Sequence, residues 1–261
     1  MAPSSSKPRS KDHPGAAVTP RLAAALLVIS GNRVLMVKRP NHFSYPGAFV
    51  FPGGTVSPTD PTPAYTALRE TFEETGLLLS SSPIPAERKH LLPSLQKRVH
   101  DNEVSFEEAL ETLGVSLISD TIPFTVWTTP PGPPKRYETH FFITRLPAHL
   151  SEEAVVGDGG IEVVGAHWLP AERIPGWIRE GRTAMHSAQI YLCTRLAWAL
   201  EGGWEGVLRL AGQIGDMRVL MRRTDEDGKR VENLPNGDRV VYEAGAGSAG
   251  KAWVELAKAK L

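Results

Sequence analysis

An α+β sandwich is the fold class this sequence predicts, and three observations predict it. Strand-like and helix-like stretches follow one another in an uneven order, unlike the regular succession of a doubly wound sheet. Two apolar runs, Leu22–Ser30 and Arg33–Lys38, flank Gly31-Asn32 and read as a β-hairpin. The 261 residues, 41% hydrophobic and 22% charged, have ordinary globular composition and suffice for one large core without staples.

Taken in order, residues 1–19 are rich in Ser, Pro and Lys without an apolar period and are expected to form a disordered leader. After the hairpin, Ala48–Phe51 reads as a short strand. A Gly-Gly turn and the Pro-rich loop TVSPTDPTP then lead into a helix over Pro63–Thr75, which Gly76 stops. A helical insertion spans about 80–120, with helices at Leu92–His100 and Ser105–Leu113, the second opening on a Ser105/Glu108 capping-box pattern. Strands return at Phe124–Thr128, Arg136–Thr144 and near Ile161–Leu169, followed by helices over Ala171–Arg179 and Ala184–Leu200. From Trp204 the pattern weakens. A hairpin is expected across LPNGDRVVY, whose Asn236-Gly237 is a strong turn signal. The chain thus divides into the leader, a main domain over 20–215 and a helical and hairpin extension over 216–261.

Lys+Arg and Asp+Glu balance at 29 each, which gives no global electrostatic case for a nucleic-acid or membrane partner. No stretch reaches the roughly 20 apolar residues that a membrane span needs. The single cysteine, Cys193, sits in an apolar helical run and is expected to pack rather than to react.

The chemistry concentrates in Arg69–Gly76, RETFEETG. At 100° per residue, Glu70, Glu73 and Glu74 share about 100° of helix surface. Tyr65, Leu68 and Phe72 lie on the other side at helical spacing. Like charges at i,i+4 repel by a few tenths of a kcal/mol, whereas hard divalent cations favour such oxygen ligands. A solvated acidic face is the plain alternative. Upstream, Phe51-Pro-Gly-Gly54 allows close backbone approach and leaves a carbonyl free to face a metal.

Together, FPGG and RETFEETGL resemble the signature box of the Nudix hydrolases, G-x5-E-x7-R-E-U-x-E-E-x-G-U, with U a bulky aliphatic. Gly54, Arg69, Glu70, Glu73, Glu74, Gly76 and Leu77 match. Asp60 stands where the first Glu is expected, eight residues rather than seven separate it from Arg69, and Thr71 replaces the aliphatic. The resemblance implies a Nudix-type α/β/α sandwich with a mixed β-sheet. It also implies Mg²⁺ or Mn²⁺ held by Glu70, Glu73, Glu74 and the Gly54 carbonyl, and cleavage of a nucleoside diphosphate linked to another group.

The stretches LMVKRP (35–40), PGAFVFPGG (46–54), TVWTTPPGPPKRYETHFFITRL (125–146) and EVVGAHW (162–168) are similar to the peroxisomal coenzyme A diphosphatase branch. That resemblance implies hydrolysis of CoA or acyl-CoA to 3′,5′-ADP and (acyl-)4′-phosphopantetheine. Glu138 and Glu162 are the candidate general bases, each with a surface strand position as its alternative. Lys38, Arg39, Lys135 and Arg136 are the candidate phosphate-binding cations, with plain surface charge as the alternative. His140 is expected to be a satisfied, partly buried histidine, and Trp127 a core residue with a place in the substrate pocket as its alternative.

The chain's last three residues, Ala259-Lys260-Leu261, are a variant of the S-K-L address read by the peroxisomal import receptor, so a peroxisomal location is expected, with the cytoplasm as alternative. Two further functions stay open. One is a Nudix hydrolase of NADH, ADP-ribose, a nucleotide sugar or an isoprenoid diphosphate, and the other a catalytically silent Nudix-fold binding module.

Overall fold

The computed structural model describes residues 18–40, 47–131, 134–158, 163–245 and 250–257. The predicted leader therefore lies outside the described residues except for Val18 and Thr19. The hairpin forms as expected, with β1 (Arg21–Ser30) and β2 (Arg33–Lys38) antiparallel and Ile29 opposite Val34. Every residue of β1 from Ala23 to Ile29 is buried, which is the mark of a central strand covered on both faces.

Short strands β3 (Phe49–Val50) and β4 (Gly53–Thr55) follow, then helix α1 (Pro63–Thr75). The ends of α1 are chemically specified. Thr62 Oγ1 accepts the Tyr65 N–H at 3.1 Å, Pro63 opens the helix, and left-handed Gly76 donates its N–H to the Phe72 carbonyl at 2.8 Å. The insertion carries a 3₁₀ turn (Ala86–Leu91), α2 (Leu92–His100) and α3 (Phe106–Leu113), with the Ser105/Glu108 capping box in place.

Strands β5 (Ile122–Thr128), β6 (Tyr137–Arg145) and β7 (Gly165–Pro170) complete most of the main sheet. They are followed by α4 (Ile174–Arg179), α5 (Ser187–Glu201), α6 (Gly203–Gln213) and β8 (Met217–Arg218). The sheet is mixed: its path runs β3-β2-β1-β6-β5-β8, with β4 also on β1 and β7 also on β2. The β1/β6 and β5/β8 pairs are parallel.

Alternation along β1 divides the core. Ala24, Leu26 and Val28 pack with Leu68, Phe72, Leu95 and Phe106 on the side of α1–α3. Ala25, Leu27 and Ile29 pack with Ile178, Tyr191, Leu196 and Leu210 on the side of α4–α6. This is the expected α/β/α sandwich.

Two features depart from the sequence expectation. The run after Trp204 is a regular helix, α6, whose three glycines (Gly203, Gly206 and Gly212) depress its apparent helical propensity. Gly206 has a packing reason, because a Cβ there would overlap the Ala199 carbonyl of α5. The C-terminal hairpin is half of a larger object. Strands β9 (Met221–Thr224), β10 (Arg230–Asn233), β11 (Arg239–Tyr242) and β12 (Ala252–Glu255) form an antiparallel sheet in the order β12-β11-β10-β9. The turn containing Asn236-Gly237 joins β10 to β11, as its composition predicts.

This small sheet docks on α5 through buried polar groups. The Tyr191 hydroxyl donates to Asp238 Oδ2 at 2.8 Å and accepts from Asn236 Nδ2 at 2.7 Å, and Arg195 Nη1 reaches Asp238 at 3.1 Å. Fully buried Glu232 accepts from Arg222 Nε at 2.7 Å and from the Ser187 hydroxyl. Buried charge is tolerated because each carboxylate is both paired and hydrogen-bonded. Cys193 is buried and its thiol pKa is pushed up by that burial, in keeping with a packing role. Trp127 is likewise core, tilted against Tyr191 at 5.9 Å between ring centroids. No helix among the described residues is long and apolar enough to cross a membrane.

Candidate active site

The site is assembled where β4 meets α1. Gly54 lies opposite Ala24 and Gly53 opposite Ala25. Glycine is required at Gly53, whereas at Gly54 a side chain would displace a neighbouring one. A Cβ on Gly53 would overlap the Ala24 carbonyl, and one on Gly54 would occupy the space of the Glu70 carboxylate. The Gly53 N–H donates to Glu74 Oε2 at 3.0 Å. Glu70 and Glu74 therefore bracket the Gly-Gly turn from successive turns of one helix.

Arg69 lies between the carboxylates. Its Nη1 donates to Glu73 Oε1 at 2.6 Å, its Nη2 to Glu70 Oε1 at 3.0 Å, and its Nη2 and Nε to Asp60 at 2.9 and 3.1 Å. Burial by itself would lower the Arg69 pKa, but the Asp60 hydrogen bonds and the charges of Glu70 and Glu73 outweigh it and raise the pKa. Asp60 also accepts from the Thr66 hydroxyl at 2.8 Å and the Ser57 N–H at 3.2 Å. Burial disfavours its charged form, yet the bonds from Arg69, Thr66 and Ser57 prevail and hold the carboxyl below its ordinary value. Asp60 is thus the anchor of Arg69, and the longer loop brings a side chain one methylene shorter than Glu to that guanidinium.

The insertion touches the same helix. Buried Gln96 of α2 donates from Nε2 to the Glu73 carbonyl at 2.9 Å and to the Gly157 carbonyl at 2.8 Å. His100 Nδ1 lies 3.9 Å from Glu73 Oε2. The Val156 N–H donates to the Thr75 carbonyl at 2.9 Å, so the segment leading toward Glu162 is tied to the end of α1. Glu162 itself lies outside the described residues. Nothing in the sequence pattern singled out Gln96 or His100, because their role depends on where the insertion folds back.

Register puts the remaining candidates on the two sheet faces. Leu22, Ala24 and Leu26 of β1 lie opposite Glu138, His140 and Phe142 of β6, so Glu138 and His140 stand on the α1 face. Glu138 Oε1 is 3.4 Å from His140 Nε2, and His140 is partly exposed. Lys38 follows Val34 and Met36 onto the opposite face, its Nζ 5.9 Å from the centre of the Phe49 ring. Arg39 is close enough to His186 to act on it: burial first, and the Arg39 charge second, push His186 down to about 4. Arg136 is engaged by main-chain carbonyls, those of Thr129 at 3.0 and 3.1 Å and Val18 at 2.7 Å, and pins the start of β6. Lys135 is exposed just before β6. The four predicted cations therefore do not gather around the Glu70–Glu74 helix.

Among the described residues, no three His, Cys, Asp or Glu side chains converge as a finished metal-ligand group, since Glu70 and Glu73 are turned to Arg69. The donor chemistry nonetheless fits a hard divalent cation. Carboxylate oxygens of Glu70 and Glu74 flank a backbone turn built on Gly53 and Gly54, and oxygen-only sets of this kind suit Mg²⁺ or Mn²⁺.

Fold and site resemble those of Nudix hydrolases. Residues 19–114 match the NUDIX domain family, and the fold is that of a NUDIX hydrolase crystal structure from Alicyclobacillus acidocaldarius. That similarity has a TM-score of 0.59 at 27% identity and covers 70% of this chain and 93% of the other. A probable Nudix hydrolase of Schizosaccharomyces pombe is 32% identical over 123 residues, a stretch that spans only 42% of each chain.

Proposed function

We propose that the protein is a divalent-metal-dependent diphosphatase that hydrolyses coenzyme A or acyl-CoA to 3′,5′-ADP and (acyl-)4′-phosphopantetheine. The observation that supports hydrolysis is the intact set Glu70, Glu73 and Glu74, organised by Arg69 around Gly54. A silent binding module has no use for three crowded carboxylates maintained against their mutual repulsion. What supports CoA is the resemblance of the flanking stretches 35–40, 46–54, 125–146 and 162–168 to the coenzyme A branch.

A divalent ion held by the three glutamates and the Gly54 carbonyl would neutralise diphosphate oxygens and acidify a bound water. Arg69 keeps Glu70 and Glu73 oriented without competing for every oxygen, because Asp60 takes part of its donor capacity. Glu138, two strands from Gly54 on the α1 face and two residues along from His140, which lies level with Gly54, stands about 12 Å away between backbones and is the described candidate to accept the water proton. Glu162 remains the second candidate. Attack forms one new P–O bond, the bridging P–O bond breaks, and the leaving phosphate retains the electron pair.

The purified protein incubated with Mg²⁺ or Mn²⁺ should release 3′,5′-ADP from CoA faster than it cleaves NADH or ADP-ribose, read by product chromatography. Cleavage of another diphosphate with CoA intact would move the assignment to that substrate, and cleavage of none would favour the binding module. Ala259-Lys260-Leu261, outside the described residues, is proposed as a peroxisomal address read by the import receptor. Deleting the three residues should release a tagged protein into the cytosol, and an unaltered distribution would overturn that reading.

A further inference from the structure

A cavity of about 520 Å³ opens on the α1 face of the sheet, lined by Thr128, Glu138, His140, Asp216, Arg218 and Pro235 among others. Its volume lies within the range of small-molecule clefts. Its position follows from register. Thr128 of β5 lies opposite Glu138 of β6 and also opposite Arg218 of β8, so Glu138, Thr128 and Arg218 form one row across three strands. The neighbouring row starts at Gly54 and runs through Ala24, His140 and Val126. The cavity is thus an extension of the candidate site along the sheet, away from α1.

The charges lining it are not equivalent. Glu138 is paired with His140. The Asp216 carboxylate accepts the Val126 N–H at 3.3 Å and is turned to its neighbouring strand. Arg218 is exposed, and its side chain makes no hydrogen bond or ion pair among the described residues. Four strand steps, about 19 Å, separate β8 from β4. That is too far for Arg218 to touch a group held at Gly54, and far enough for nucleoside-sized material to lie between them. Pro235 closes the far wall from the β10–β11 turn, which the Tyr191–Asn236–Asp238 hydrogen bonds fix to α5. The lining residues all lie outside the matched stretch 19–114, so the signature box does not include this subsite.

We propose that the cavity binds a second, non-reacting phosphate of the substrate, with Arg218 as its recognition residue. The proposal rests on the diphosphatase reading and deepens it: the preferred substrate carries a phosphomonoester on the nucleoside side of the diphosphate. CoA and 3′-dephospho-CoA differ by that group alone. Arg218→Ala should raise KM for CoA about tenfold, the scale of one charge-assisted hydrogen bond, and leave kcat and the KM for 3′-dephospho-CoA unchanged. An equal change for both substrates, or no change for either, overturns the proposal. If the wild-type protein cleaves neither compound, the CoA assignment fails by itself, and titration calorimetry with 3′,5′-ADP and AMP decides the subsite. Tighter binding of 3′,5′-ADP that Arg218→Ala abolishes supports it, and equal binding of the two nucleotides by the wild type refutes it.

Discussion

Replacing Glu74 by glutamine is expected to lower turnover by about a hundredfold or more, the scale on which one charge-stabilising group acts in a closed site, with the fold retained. The two halves of this expectation come from different observations. Glutamine keeps a carbonyl oxygen that can accept the Gly53 N–H, the bond now made at 3.0 Å, so the junction of β4 and α1 survives. The lost charge also relieves the i,i+4 repulsion with Glu70, and stability without metal should stay level or rise by a few tenths of a kcal/mol. Added Mg²⁺ or Mn²⁺ should raise the melting temperature of the wild-type protein, because a ligand that binds only the folded state stabilises it. The variant should lose most of that increment. Unchanged turnover together with an unchanged metal response would leave buried Glu74 only a structural role, as acceptor of the Gly53 N–H.

Asp60→Ala should be the most destabilising single change in the box. The Asp60 side chain is 3% exposed and receives hydrogen bonds from Arg69, Thr66 and Ser57, and Arg69 is itself 15% exposed. Removing it should cost about 3 kcal/mol, the low end for breaking a buried pair, because Arg69 keeps two other carboxylates. The melting temperature should fall by roughly 6 to 12 °C for a chain of this size. Turnover should fall as well, since a guanidinium released from Asp60 is drawn onto Glu70 and Glu73. The sign of the pH dependence is fixed by the lowered Asp60 pKa. The stabilisation is complete above the ordinary carboxylate value and is lost as pH falls through the lowered folded-state value. Wild type and Asp60→Asn should therefore differ in melting temperature at neutral pH and converge as pH falls through the lowered Asp60 pKa.

Much of this arrangement was legible in the sequence because it is local. Pro63 and Gly76 mark the ends of α1, Ser105 and Glu108 announce α3, and Gly31-Asn32 and Asn236-Gly237 mark turns that form. The fold class followed from the uneven order of elements. Long-range consequences were not legible. Asp60 looked like a departure in the box, and only the folded loop brings its carboxylate onto Arg69. Arg136 looked like a phosphate ligand, but the carbonyls of Thr129 and Val18, one of them 118 residues away, occupy it. α6 escaped notice because the glycine that allows its contact with α5 is a poor helix former. Arg218 carries no motif at all. Its interest comes from standing in a row with Glu138 across three strands.

The parallel pairing of β1 with β6 has a consequence for how the chain is made. Arg21 lies beside Tyr137 and Ile29 beside Arg145, so β1 leaves the ribosome more than a hundred residues ahead of this partner. Until β6 emerges, the apolar run Ala23–Ile29 has β2 and β4 along one edge and α1–α3 over one face, and its other edge and face stay open. Closing so long a loop before its contacts are rewarded makes for slow folding, and an apolar central strand left unpaired is a template for aggregation. A fragment ending at residue 114, however complete its signature box, would carry that unpaired strand permanently.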